Sequence, residues 1–233
     1  MRAARNLLVL LATMALATAM VAPAVAQGQA QGATVETANV YDQATQGGEL
    51  WAEEGATLRR TPNGIQVRIE MPTPEPGTYT YPDPGPDPDD PGGPDDNPSA
   101  APPGHPEVFT LWAFVFNHPE ECVDGPHACG AADVAAVMGS GGEDNPSGLA
   151  VFGVAGHPVG GPKLTLSGGI STSHEPFAPI FAPLTNPDGA EVHLAVAPHG
   201  GLDPEIMPEQ ATTPAGTPDM WWTAVFLSPD AQD

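Results

Sequence analysis

Basic residues are nearly absent from this chain, which has six lysines and arginines against 29 aspartates and glutamates in 233 residues. Because nucleic-acid binding depends on neutralising phosphates, this composition excludes nucleic acid as a partner. Anionic membrane surfaces are disfavoured for the same reason. Two explanations of the acidity stay open, namely the solubility of a strongly negative surface and adaptation to a high-salt habitat. Solubility needs no special environment and is the preferred explanation.

Long apolar runs are also missing, apart from one near the N-terminus. Arg2 and Arg5 precede the uncharged apolar stretch 7–22, and Ala24-Val25-Ala26 is a small-residue cleavage site. The stretch is shorter than the about 20 residues that a membrane span needs. Residues 1–26 are therefore predicted to be a secretory signal peptide, and the cleaved chain is expected to be secreted or periplasmic without a membrane anchor. Losing the two arginines changes the formal charge from −23 to −25.

Cysteine is scarce as well, since the chain contains Cys122, Cys129 and no others. Outside the reducing cytosol two nearby thiols oxidise, so export predicts a disulfide that closes a short loop. With His118 and His127 the same cysteines offer four zinc ligands, but their spacing matches no standard zinc module. The disulfide is therefore the preferred prediction.

Catalytic motifs are missing too. The sequence has no G-x-S-x-G, H-E-x-x-H, P-loop or G-x-G-x-x-G pattern, and a disulfide leaves no thiol to act as a nucleophile. An extracellular hydrolase with paired carboxylates stays an alternative, because acids are so frequent that no spacing singles out one pair. The sequence favours a non-catalytic binding or interaction module, whose extracellular ligand or protein partner it does not identify.

What the sequence does contain is a series of short strand patterns separated by glycine and proline. In residues 65–71 apolar and polar residues alternate after Asn63-Gly64, a pair typical of tight hairpin turns. Residues 108–116 are almost all apolar, as in a strand buried on both faces. A short helix is indicated at 131–138, and further strands at 149–154, 163–167, 192–196 and 220–227. We predict an all-β fold, an antiparallel β-sandwich with a β-barrel as the alternative.

Proline and aspartate concentrate between the predicted strands, in residues 72–106. Proline removes a backbone donor and restricts the residue before it, so this stretch is predicted to be a disordered, extended insertion loop. Residues 27–48 lack periodicity and are predicted to be a flexible lead-in. The predicted organisation is thus a signal peptide, this lead-in and a single β-sandwich domain over residues 49–230 that includes the loop.

Histidines and acids suggest a metal-binding alternative. Glu191 and His193 share one strand face, and folding could bring His157, His174 or His199 to them as a copper or zinc site. The Pro/Asp loop offers oxygen ligands for weakly bound calcium, although its prolines interrupt the register that a calcium loop needs. These ligands are Asp83, Asp87, Asp89, Asp90, Asp95, Asp96 and Asn97. No other cofactor is expected.

Three groups of motifs stand out in the second half of the chain. They are EVFTLWAFVFNHPE at 107–120 with Cys122, GH at 156–157 with VGG at 159–161, and AEVHL at 190–194 with HG at 199–200. Together these motifs, spread over most of residues 107–227, resemble a family of exported bacterial proteins with no assigned activity. The resemblance implies one exported domain and brings with it no substrate, cofactor or catalytic residue.

Overall fold

Eight strands form one antiparallel sheet in the computed structural model, which describes residues 33–42, 48–75, 105–205, 207–212 and 221–232. The strands are β1 (Thr34–Asp42), β2 (Leu50–Thr61), β3 (Gly64–Pro72), β4 (Glu107–Phe116), β5 (Leu149–Val159), β6 (Lys163–Ser171), β7 (Glu191–Gly201) and β8 (Trp222–Phe226). The predicted all-β, antiparallel fold is confirmed.

The helices in the described residues are few and short. They are α1 (Ala131–Ser140) and α2 (Met207–Gln210), with 3-10 turns at Pro119–Glu121 and Pro229–Gln232. The first of these helices covers the segment in which the sequence indicates one. In the described ranges no helix combines the length and the apolar character that crossing a membrane requires.

The sheet curls into a nearly closed barrel. Its strand order is β5-β4-β7-β8-β1-β2-β3-β6, so the two edge strands β5 and β6 are consecutive in the chain. These edges meet closely, because a Cβ added to Gly168 in β6 would lie 2.8 Å from the carbonyl oxygen of Val154 in β5. The arrangement corresponds to the barrel alternative of the sequence prediction.

The inside of the barrel is filled by apolar side chains that alternate along the strands. Trp222 of β8 is fully buried there, and its ring lies 6.5 Å from that of Phe109 in β4. The inward face of β3 is the one that the alternation predicts, with Ile65, Val67, Ile69 and Met71 all buried.

A second apolar cluster covers the outer face of β4. Every residue of this strand is buried, as its nearly continuous apolar sequence predicts. Trp112, Phe114 and Phe116 point outward and pack under the segment that joins β4 to β5, with α1 and both cysteines, and under Phe181. β4 is therefore buried between the barrel interior and this outer cover.

The β2–β3 hairpin is present, but its turn is not the predicted one. Thr61 pairs with Gly64, so Pro62 and Asn63 are the two loop residues. An added Cβ at Gly64, which has a φ of 155°, would lie 2.2 Å from the carbonyl oxygen of Ile170. Glycine is needed at this position because β6 approaches the backbone, rather than because the turn requires it.

Residues 34–42 correct the prediction of a flexible lead-in over 27–48. They form β1, whose Val40 is fully buried, and they pair with β2 on one side and with β8 on the other. The local sequence shows little alternation of apolar and polar residues. The strand is therefore stabilised by its pairing with neighbouring strands rather than by local conformational preference. The predicted signal peptide at 1–26 and most of the Pro/Asp loop, residues 76–104, lie outside the described residues.

One end of the barrel is closed by residues 183–190, called the end loop here. Its Leu184 and Ala190 are buried in the interior core. The turn that the sequence predicts at 186–189 is present, and Asn186 Oδ1 accepts a hydrogen bond from the N–H of Gly189 at 3.0 Å. Two buried polar side chains hold this loop in place, and the sequence singles out neither of them.

Arg60 of β2 is the first of these side chains, with 1% of its surface exposed. Its Nε donates to Oε1 of Glu36 in β1 at 2.6 Å. Its terminal nitrogens donate to the carbonyl oxygens of Pro187, Ala190 and Leu227 at 3.3, 2.7 and 3.3 Å. Arg60 therefore joins two strands, the end loop and the residue that follows β8.

Asn117, directly after β4, is the second. Its Nδ2 donates to the carbonyl oxygens of Gly148 and Pro183 at 2.6 and 3.0 Å. Its Oδ1 accepts hydrogen bonds from the N–H groups of Thr185 and Asn186 at 2.8 and 3.0 Å. The amide thus satisfies backbone groups on both segments that leave this end of the barrel.

Candidate functional site

A pocket of about 280 Å³ opens on the outer face of β4 and β5. It is called the Gly153 pocket here, because Gly153 lies in its floor with Thr110 and Gly156. Its walls come from residues 174–177, which follow β6, and from residues 211–212, which follow α2. Phe152, Val154 and Ala155 of β5 complete the lining.

Two glycines of β5, Gly153 and Gly156, shape the floor of this pocket because they have no side chains. An added Cβ at Gly153 would make ordinary contact, 3.6 Å, with the indole ring of Trp112 on the neighbouring strand. At Gly156 an added Cβ would lie 2.0 Å from the carbonyl oxygen of Ala211. The first glycine therefore leaves a fillable gap, whereas the second lets the backbone of the wall rest directly on the strand.

The wall at residues 211–212 is fixed by hydrogen bonds on both sides. The Thr110 hydroxyl donates to the Ala211 carbonyl oxygen at 3.1 Å. The buried Gln210 donates from Nε2 to the carbonyl oxygens of His199 and Gly201 at 2.9 and 2.8 Å, which holds α2 against the end of β7. This wall is therefore positioned before any ligand arrives.

A β-bulge shapes the strand under the pocket. Leu111 pairs with Ala155 and Trp112 with Gly153, so Val154 is an extra residue in β5. The bulge turns the Val154 side chain and carbonyl toward β6, where Gly168 leaves room for them. It thereby closes the gap between the edge strands directly beside the pocket.

The backbone of β5 faces the pocket at Gly153. The N–H of Phe177 donates to the carbonyl oxygen of Val151 at 2.7 Å, on the side of β5 away from β4. Residues two apart in a strand direct their backbone groups to the same side. The N–H and C=O of Gly153 therefore point toward the wall at 174–177, where a ligand can reach them.

Two titratable side chains, His174 and Glu175, lie at the rim of the pocket, and both are exposed. The hydroxyl of Thr110 donates to a backbone carbonyl and so is not directed at a base. Together these side chains supply hydrogen-bonding and charged groups that could recognise a ligand.

The candidate metal ligands are dispersed in the structure. Glu191 and His193 do contact each other, with Nε2 of the imidazole 2.7 Å from Oε1 of the buried carboxylate. His157 and His174 are exposed elsewhere, and His199 is buried about 20 Å along β7 from His193. Among the described residues, no three His, Cys, Asp or Glu side chains are grouped to hold a metal ion. The aspartates proposed for calcium lie outside the described ranges.

Cys122 and Cys129 form the disulfide that the sequence predicts. Both residues are buried in the outer cover. Asp133 of α1 accepts hydrogen bonds from the N–H groups of Val123 and Gly130 at 3.1 and 2.9 Å, which ties the disulfide loop to the helix. The cysteines therefore anchor the cover on β4 and are not available as zinc ligands.

Exposed positive charge in the described residues lies on the outer face of β2, β3 and β6. Arg68 and Lys163 both form ion pairs with Glu70 between them. The hydrogen bond from Lys163 is the largest influence on the pKa of Glu70. Desolvation opposes it, and the charges of Lys163 and Arg68 add to it, so that the pKa lies below its ordinary value. β4 and β5, which contribute the floor of the Gly153 pocket, contain no lysine or arginine.

We expect Lys163→Gln to raise the pKa of Glu70 toward its ordinary value. A lowered pKa stabilises the folded state above the unfolded value of about 4.3, and this contribution is lost as the pH falls through the folded-state pKa. An NMR titration of the Glu70 carboxyl carbon measures the shift. Arg59→Gln is the control, because Arg59 hydrogen-bonds Gln66 instead. An unchanged Glu70 titration in Lys163→Gln would contradict the assignment.

Comparisons of the chain with protein-family models, with curated proteins and with solved structures found no match.

Proposed function

We propose that this protein is an exported, non-catalytic binding module that takes its ligand in the Gly153 pocket. The observation behind the proposal is the pocket, about 280 Å³ of space over a floor in which Gly153 and Gly156 have no side chain, between walls fixed by hydrogen bonds. This is close to the lower end of the range for small-molecule sites, which are mostly apolar with a few directed polar groups. Phe177 and the backbone of Gly153 supply that combination.

Export is supported by two independent features. The N-terminal residues have the charge, length and cleavage pattern of a signal peptide. The disulfide between Cys122 and Cys129 is typical of proteins outside the reducing cytosol. The partner is accordingly expected among extracytoplasmic molecules.

Binding is favoured over hydrolysis by the chemistry around the pocket. A glycosidase-type mechanism needs two carboxyl groups facing each other across the substrate. Among the described residues that line the pocket, Glu175 is the one carboxylate, and it is exposed at the rim. The pocket therefore has the means to hold a ligand and lacks this pair of catalytic acids.

Gly153→Val is expected to abolish ligand binding, because the added methyl groups fill the pocket above Trp112 while the Cβ meets no clash. A library of fragment-sized molecules, screened by amide NMR shifts, is the probe. Shifts in the original protein should cluster at residues 110, 153–156 and 174–177, and Gly153→Val should lose them.

Gly169→Val is the matched control. Gly169 is an exposed glycine in β6, where an added Cβ comes no closer than 3.7 Å to its neighbours. This variant should keep the fragment-induced shifts, and both variants should melt at similar temperatures. Fragments that bind Gly153→Val as well as the original protein would overturn the assignment of function to this pocket.

A further inference from the structure

The charge around the Gly153 pocket has one sign. With histidine counted as neutral, Glu175 is the one charged residue among the described residues that line the pocket, and its charge is negative. Two of the chain's exposed bases, Arg68 and Lys163, are engaged by Glu70 on the outer face of β3 and β6. Carboxylates elsewhere add to the negative field, since the chain has a formal charge of −23. Such a field concentrates cations and repels anions.

The inner part of the pocket is apolar and aromatic. Phe177 lines it and packs edge-on against Trp112 with ring centroids 5.1 Å apart. This contact fixes the orientation of the Phe177 ring as part of the wall. An aromatic face attracts a cation through its quadrupole, and the attraction is stronger where water is excluded.

Hydrogen-bond acceptors lie on the same side. The carbonyl oxygen of Gly153 points from the β5 edge toward the wall, and the carboxylate of Glu175 lies at the rim. An ammonium group offers three donors and no acceptor, so it matches a site that presents acceptors beside an apolar wall.

We propose that the Gly153 pocket binds an organic cation, a primary amine with an apolar body. The apolar body occupies the space between Phe177 and the glycine floor, and the ammonium group interacts with Glu175. This inference rests on the proposed function, and it adds the chemical class of the ligand. The amine belongs either to a small free molecule or to a lysine side chain of another polypeptide, because both present the same group.

Three probes that share a phenyl ring and differ in charge test the proposal by titration calorimetry: benzylamine, benzyl alcohol and benzoate. Benzylamine is expected to bind about tenfold more tightly than benzyl alcohol, the ratio that corresponds to about 1.4 kcal/mol. Benzoate should show no binding, and the preference for benzylamine should decrease as salt is added. Glu175→Gln should reduce the amine's advantage severalfold.

Glu53→Gln is the matched control, since Glu53 is an exposed acid in β2 and the substitution changes the net charge equally. It should leave the benzylamine preference unchanged. A lysine blocked at both ends provides the second arm: tighter binding than benzylamine assigns the site to a polypeptide partner, and weaker binding assigns it to a free amine.

The two proposals fail in different ways. Equal binding of all three probes in the pocket, or binding of none of them, would overturn the cation class. If neutral fragments still bind the pocket and are lost in Gly153→Val, the binding function stands with another ligand. An absence of any fragment in the pocket would remove both proposals.

Discussion

Arg60→Ala is expected to destabilise the protein by about 3–5 kcal/mol, because breaking a buried ion pair from one side leaves the other charge buried alone. Here that charge is Glu36, which is 3% exposed. The same change removes the donors to Pro187, Ala190 and Leu227, so three carbonyl oxygens at the barrel end lose a partner. Urea unfolding followed by tryptophan fluorescence measures the loss.

Arg59→Ala is the control for this prediction, since the two arginines are adjacent in β2 and differ in which face they occupy. Arg59 is exposed and hydrogen-bonds an exposed glutamine, so its removal should cost under about 1 kcal/mol. If Arg60→Ala fails to fold, the double variant Arg60→Met with Glu36→Met provides the comparison. Replacing both charges by apolar side chains avoids the unpaired carboxylate and should restore folding. Equal costs for the two alanine variants would show that the buried pair is unimportant.

Asn117→Leu is expected to cost at least about 3 kcal/mol, since each buried polar group left without a partner costs about 1–3 kcal/mol. The amide serves the carbonyl oxygens of Gly148 and Pro183 and the N–H groups of Thr185 and Asn186. Leucine is similar in size but offers neither donor nor acceptor. Thermal unfolding by circular dichroism measures the change, and amide exchange should become faster in the end loop.

Gln66→Leu is the matched control, because Gln66 is an exposed amide of β3 that hydrogen-bonds Arg59 at the surface. It should change stability by less than about 0.5 kcal/mol. A loss in Asn117→Leu that is no larger than this would mean that water replaces the amide, and the end loop would then not depend on Asn117.

Local patterns predicted the elements whose signal lies within a few residues. The alternation in β3 and the continuous apolar run of β4 each correspond to a burial pattern that the structure confirms. The expected compartment and the short spacing of Cys122 and Cys129 predict the disulfide that the structure contains. In these segments the local conformational preference and the tertiary environment agree, so the sequence alone predicts the structure correctly.

Long-range geometry explains what the sequence did not predict. β1 is a strand because β2 and β8 flank it, and the hairpin turn shifted by one residue where β6 approaches Gly64. Arg59 and Arg60 are chemically identical, and only the strand register decides which of them is buried.

The candidate site was missed for the same reason. A glycine in a strand pattern does not reveal whether the space above it is open, as at Gly153, or occupied by another backbone, as at Gly156. The sequence also groups the histidines as metal ligands, although His199 lies about 20 Å along β7 from His193 and His157 is on another strand. The space above β5 depends on which segments the fold places over it, and the distances between the histidines depend on strand positions. No local spacing encodes either.

The strand order also has a consequence for how the chain reaches this structure. β1 and β8, the first and last strands, are joined by the pairs Tyr41–Thr223 and Asp42–Trp222, and the edges β5 and β6 meet without a ladder of their own. Two four-stranded halves, β6-β3-β2-β1 and β5-β4-β7-β8, are thus held together mainly by the side chains they share inside. Contacts between residues so far apart in sequence form slowly, since the chain entropy is lost before the contacts compensate. We therefore expect assembly of the two halves to be the slow step of folding, and Trp222, which lies at their junction, to report it.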